Sequence, residues 1–115
     1  MKKIAFLFAG QGAQAVGMGK DMAEHLPVAK AVFDMGESLR PGVTELCFAG
    51  DPEELKKTEN TQPCLYLTDY AIAQALVTAG VVPAAVAGFS LGEIPALVRQ
   101  YARNAAVDGD GCTYT

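Results

Sequence analysis

The chain has 115 residues, half of them hydrophobic, and a formal charge of −4 at neutral pH. That length admits one small domain, and its apolar content is enough for a core, which excludes disorder by composition. The acidic balance without a clustered Lys/Arg face excludes a nucleic-acid footprint, and no apolar run reaches a membrane span, so neither nucleic acid nor membrane is expected as a partner.

Ile4 to Phe8 predict a strand, nearly all apolar and therefore central to a sheet. Lys2-Lys3 before it and Ala13-Gln14-Ala15 after it imitate a minimal secretory signal. Gly10-Gln11-Gly12 breaks the apolar stretch early, however, and a buried strand running into a glycine loop explains the same residues. Cys47, Cys64 and Cys112 have neither metal-ligand spacing nor an even count for pairing, which fits reduced thiols in a cytoplasmic protein and no metal site.

After the loop from Gly10 to Gly19, Lys20 to Leu26 predict a short helix and Val28 to Leu39 a longer one. Val28, Ala31, Val32 and Met35 fall on one side of the second helix, and Pro41-Gly42 ends it as a turn. Asp51 then reads as an N-cap, with Pro52 at the first helical position and Glu54 placed for a capping box. Lys56 and Lys57 close that helix. Thr58 to Gln62 form a polar lead-in through Pro63 to the longest helical pattern, from about Cys64 to Ala79. Its apolar face is predicted at Leu65, Tyr66, Ala73, Leu76 and Val77, and Gly80 stops it.

Ala84 to Ala87 predict a second short buried strand, and Leu91, Ile94, Leu97, Val98 and Tyr101 then recur at helical spacing. Two strands joined through several helices imply parallel strands and an α/β class. A stable layered domain needs about five or six strands, so the chain reads as the opening part of something larger.

Between the last strand and helix lies Gly88-Phe89-Ser90-Leu91-Gly92, the G-x-S-x-G pattern of a nucleophile elbow. Two glycines permit a sharp, strained turn, and a serine at a helix N-terminus sits where free N–H groups favour an acyl-transfer oxyanion. A serine hydroxyl needs a base to take its proton. The single histidine, His25, precedes the elbow, whereas the base of elbow enzymes follows it, so His25 is expected to be a solvent-facing helix residue.

Gly10-Gln11-Gly12-Ala13-Gln14 follows the first strand and is placed to lend one oxyanion N–H, the second coming from Leu91. Gly10-x-Gly12-x-x-Ala15 also fits a dinucleotide fingerprint literally. That motif needs a helix at once and a second strand ending in an acid, and neither is found here. Asn60-Thr61-Gln62-Pro63 is either a polar helix cap or a brace in which Gln62 holds the glycine loop, and spacing leaves both open. Glu93, in the first turn after the serine, suits the helix dipole.

Together, Phe8-Ala9-Gly10-Gln11-Gly12-Ala13-Gln14, Glu54-Leu55-Lys56-Lys57-Thr58 with Asn60-Thr61-Gln62-Pro63, and Ala87-Gly88-Phe89-Ser90-Leu91-Gly92-Glu93 resemble the malonyl-CoA:acyl carrier protein transacylases, the acyltransferases of fatty-acid and polyketide synthesis. The resemblance covers residues 3 to 98 roughly, in order and in register. It implies the N-terminal portion of an α/β-hydrolase-like large subdomain, parallel strands with covering helices, and no ferredoxin-like subdomain. The implied chemistry is ping-pong transfer of malonyl from malonyl-CoA to acyl carrier protein through an acyl-Ser90 intermediate, with no cofactor. The amides of Gln11 and Leu91 would bind the oxyanion, while Gly10, Gly12, Gln62, Gly88, Phe89 and Gly92 would support the site.

Phe89 stands where the family most often has histidine, and Ile94-Pro95 where it usually has tyrosine and serine. In the family the base histidine and a carboxylate-binding arginine follow the elbow, and Arg99 and Arg103 lie too close to it for that role. Residues 1–98 are thus expected to form a partial acyltransferase domain and 99–115 a tail unlike the family, as in a truncated or frame-shifted copy with little activity. Two other functions fit fewer residues: a serine esterase, from the elbow alone, and a non-catalytic piece that holds acyl carrier protein or completes a partner's sheet.

Overall fold

A computed structural model describes residues 3–98, with the backbone alone at Ser90. Strand β1, Ala5–Phe8, pairs in parallel with β2, Ala85–Gly88, residue for residue from Ala5 beside Ala85 to Phe8 beside Gly88. The parallel α/β expectation therefore holds. β1 is buried on one face only: Phe6 and Phe8 turn inward, while Leu7 is 81% exposed. Its apolar run predicted burial on both faces, but among the described residues packing covers just the Phe6–Phe8 side.

Five helices separate the strands: α1 Lys20–His25, α2 Pro27–Leu39, α3 Val43–Ala49, α4 Pro52–Leu55 and α5 Thr58–Thr78. α5 divides the core in two. Its Cys64, Leu67 and Ala71 pack with Ala29, Val32 and Phe33 of α2 and with Val43 and Cys47 of α3. Further along, Ala73 and Val77 pack on Phe6 and Phe8 of β1 and on Ala96. Cys47 and Cys64 are free thiols, and Cys47 is pushed above the ordinary thiol range by its hydrogen bond with Cys64 and by burial.

A helix clasped on two sides shows no single apolar stripe, so the predicted face of α5 is only partly the buried one. Leu65 and Ala73 are buried, but Leu76 is 37% exposed, and Thr61, Cys64, Leu67 and Ala71 take its place. On α2 the buried residues are Ala29, Val32, Phe33 and Gly36, while Met35 lies outward. A Cβ at Gly36 would come within 2.5 Å of the Leu67 side chain of α5, so the two helices approach closely there.

α3 was not predicted. Gly42, at φ 93°, turns the chain into it. The Glu37 carboxylate accepts from the amides of Gly42 at 2.6 Å and Thr44 at 3.1 Å, a cap supplied from the preceding helix. At α4 the expected N-cap is present, Asp51 Oδ1 accepting from the Glu53 amide at 2.9 Å, but Glu54 takes Lys57 Nζ at 3.0 Å instead of closing the capping box.

α5 starts at Thr58, so the predicted polar lead-in is helical and Pro63 lies inside. Proline has no N–H to give the carbonyl four residues back, which is that of Glu59. Arg40 replaces the missing donor: its Nη1 donates to Glu59 O and its Nη2 to Asn60 Oδ1, both at 2.7 Å.

β2 leads through a 3₁₀ turn, Ser90–Gly92, into a helical run over 93–98. Leu91, Pro95 and Ala96 face the core there, whereas Ile94 and Leu97 are 52% and 63% exposed, contrary to the predicted stripe. Pro95 is the third residue of the run, where its missing N–H has no helical acceptor to lose. Tyr101, Arg99, Arg103, Cys112 and the expected 99–115 tail lie outside the described residues.

Candidate active site

Because the strands are parallel and Phe8 lies beside Gly88, the loop after β1 and the turn after β2 leave the same end of the sheet. The Phe89 amide donates to Phe8 O at 3.1 Å, extending the ladder up to the serine. A Cβ at Gly92 would collide with Phe8 O and lie 2.9 Å from Ala9 O; one at Gly88 would collide with Gly92 O and Glu93 N. Neither glycine has the left-handed φ seen at Gly12, Gly17, Gly19, Gly42 and Gly80. The elbow glycines are therefore there for space, which differs from the expected strained turn. Three backbone segments press together at the elbow, and a methyl group at either glycine would part them.

The Ser90 backbone opens the 3₁₀ turn, closed by the Gly92 amide on Phe89 O at 2.9 Å. First-turn amides of such a segment lack internal acceptors, and that of Leu91 is among them. The Leu91 side chain is buried and anchors the turn, while Phe89 is 75% exposed beside it.

Across from the elbow, three hydrogen bonds hold the first part of the glycine loop, residues 10–14. Ala13 N donates to Gly10 O at 3.3 Å, and Gly12 N to Gln14 Oε1 at 2.7 Å. Gln11 Nε2 reaches Thr58 Oγ1, at the start of α5, at 3.1 Å. Gly10 is buried; Gln11 and Gly12 are exposed. Gln62 lies one turn beyond Thr58 and is exposed too, so the side chain that meets the loop from α5 is that of Thr58. The sequence held a signal for it, since Thr58 ends a quoted motif, but it sat in a stretch read as non-helical. His25 is exposed on α1, its Nδ1 2.8 Å from Asp21 O.

One carboxyl departs from ordinary behaviour. Asp69, on α5, lines a groove of about 240 Å³ with Ala5 to Phe8, Ile72, Ala73 and Leu76, and its Oδ2 is buried. That oxygen has no hydrogen-bond partner among the described residues, and burial pushes the group from 3.8 up to about 6. Among the described residues no three His, Cys, Asp or Glu side chains converge as metal ligands would.

Comparison with known proteins fits this geometry. The family described as acyl transferase domain matches residues 5–108. The chain belongs to that family. Its match runs past residue 98, where the resemblance read from the sequence ends. The malonyl CoA-acyl carrier protein transacylase of Bacillus subtilis (strain 168) is 48% identical over 99 residues, covering 85% of this chain and 31% of that protein. Among solved structures, the malonyl CoA-acyl carrier protein transacylase of Clostridium perfringens superposes with a TM-score of 0.80 at 44% identity, over 88% of this chain and 32% of that one. A malonyl-transacylase solved in complex with a type II polyketide acyl carrier protein gives 0.79 at 38% identity, over 86% and 33%. The acyl transferase chain thus spans about a third of the length of the transacylases it matches. It shares their α/β fold, parallel strands with helices.

Proposed function

We propose that this acyl transferase domain carries a malonyl group on Ser90, taking it from malonyl-CoA and passing it to acyl carrier protein. The observation that supports this most is the packing of Gly92 on the carbonyls of Phe8 and Ala9, which keeps the glycine loop beside the serine turn. Ser90 Oγ attacks the thioester carbonyl, and its proton passes through a base to the departing CoA thiol. The phosphopantetheine thiol of acyl carrier protein then attacks the malonyl-serine ester and restores the hydroxyl. In each tetrahedral intermediate the oxyanion is met by the amides of Gln11 and Leu91. The Gly12 amide is already committed to Gln14, which supports the neighbouring Gln11 amide as the loop's donor. Gly10, Gly12, Gly88 and Gly92 shape this backbone site and Phe89 walls it.

The base is not His25, whose ring is turned to its own helix. We assign the base and the malonyl-binding arginine to the part of the family domain that follows the elbow, as we do the rest of a hydrolase-like large subdomain. Esterase and purely binding roles draw on single features, whereas the family match draws on the whole described chain.

The test grafts residues 1–98 in place of the matching third of the Bacillus subtilis transacylase and measures malonyl transfer to acyl carrier protein. The graft is expected to transfer malonyl and to lose that with Ser90→Ala, while the 115-residue chain alone shows little transfer. A folded graft equally active with Ser90→Ala would overturn the proposal.

A further inference from the structure

We infer that Thr58 is a positioning residue of the acyl-transfer site: its hydroxyl holds the Gln11 side chain and so fixes where the Gln11 amide points. This rests on reading that amide as an oxyanion donor. The bonds of Gly12 to Gln14 and of Ala13 to Gly10 are local to the loop. They set its shape without tying it to the fold. Gly17 N, bonded to Cys47 O at 2.8 Å, anchors only the loop's far end. The tie from the tip to another element is Gln11 Nε2 to Thr58 Oγ1, across 47 residues of sequence.

A tie is useful only if its far end is rigid, and the first turn of a helix is ordinarily the least rigid part of it. Here that turn is fastened from three sides. Arg40 binds Glu59 O, the carbonyl that Pro63 cannot serve, and Asn60 Oδ1. Asn60 Nδ2 donates back to Glu54 O at 2.8 Å, and the buried Thr61 hydroxyl donates to Leu55 O. Thr58 therefore stands on a fixed post. Catalysis by a preorganised donor depends on that donor being in place before charge develops, so loosening it lowers the rate more than substrate affinity.

The 115-residue chain is examined as Thr58→Val and Thr58→Ser by amide hydrogen exchange and by the Gln11 side-chain amide resonances. Valine is expected to speed exchange at Gly12 and Ala13 by roughly two- to tenfold, the equivalent of one neutral hydrogen bond, and to shift the Gln11 resonances. Exchange at Gly17 should stay unchanged, the thermal midpoint should fall only by the few degrees that one such bond is worth, and serine should restore both readouts. In the graft, valine should lower kcat about tenfold with KM within about twofold. Unchanged exchange and resonances with valine, or no rescue by serine in a fold of equal midpoint, would overturn the inference. If valine prevents folding, Gln11→Ala cuts the same tie from the loop's side, and unchanged exchange at Gly12 and Ala13 would overturn it equally. A graft inactive even with Thr58 would instead count against the transacylase reading, and the exchange data would still decide the role of Thr58.

Discussion

Asp69→Asn is expected to stabilise the protein at neutral pH and to flatten its pH dependence. Burial between α5 and β1 alone raises the carboxyl, from 3.8 to about 6. The folded state thus holds this proton more tightly than the unfolded chain does. Below about pH 4 both states are protonated and nothing is lost. As pH climbs from about 4 to about 6, the folded protein must ionise a group that its surroundings solvate poorly, so stability falls; above about 6 the penalty is constant. The gap between the two values caps that penalty at about 3 kcal/mol. The side chain is only half-buried and water screens it, which leaves about 1–2 kcal/mol. In a domain this small that amounts to roughly 5–10 °C in melting temperature. Thermal melts of both proteins from pH 4 to 8, followed by circular dichroism, make the comparison, since every other carboxylate titrates alike in the two. The Asn variant should melt higher at pH 7 and converge with the parent toward pH 4. Parallel curves, or a variant that melts lower at pH 7, would refute the reasoning, because they would mean that the ionised carboxylate has a favourable partner in the folded state.

Gly92→Ala should cost about 3 kcal/mol, near the upper end for overpacking, because the methyl meets fixed backbone that no rotamer change can move. Gly80→Ala, with open space around it but φ of 96°, should cost only about 1 kcal/mol, and denaturant titrations giving the reverse order would exclude the packing described at the elbow. Glu37 has the opposite pH sign from Asp69: the Gly42 and Thr44 amides hold it below its usual value, so its support of α3 is present at neutral pH and lost as pH falls through that lowered value. Glu37→Gln should therefore narrow the stability difference between pH 7 and pH 3, and an unchanged difference would show that the cap contributes nothing.

What the sequence made legible is what local chemistry decides. Proline, aspartate and glycine punctuated α4, α2 and the strand ends correctly, because an N-cap or a turn is settled within four residues. What it hid is decided by partners far along the chain. α3 is capped by Glu37 from another helix, which no motif at Val43 announces. The sequence puts the start of α5 at about Cys64, after a polar lead-in, whereas the helix begins at Thr58 because the bond Pro63 cannot make is replaced by Arg40, some twenty residues upstream. The buried side of α2 is Ala29, Val32, Phe33 and Gly36 rather than the stripe the spacing predicts, and Gly36, which hydropathy ignores, packs against the Leu67 side chain of α5.

The same division runs through the site. An oxyanion hole made of amides leaves no side-chain signature; what it leaves is glycines where backbone must touch backbone. Gly88 and Gly92 therefore mark the elbow in the sequence, although the reason is the approach of Phe8 and Ala9 to Gly92 and of the Gly92–Glu93 backbone to Gly88 rather than an unusual dihedral. The residue that orients such a site has no comparable constraint on its type. Thr58 is one polar residue in a polar stretch, and its part depends on a chain of bonds from Arg40 through the first turn of α5 to Gln11. Spacing can reveal where backbones must meet, because that excludes nearly every residue but one. It cannot reveal a post, because many side chains would serve and only the assembled fold shows which one stands within reach.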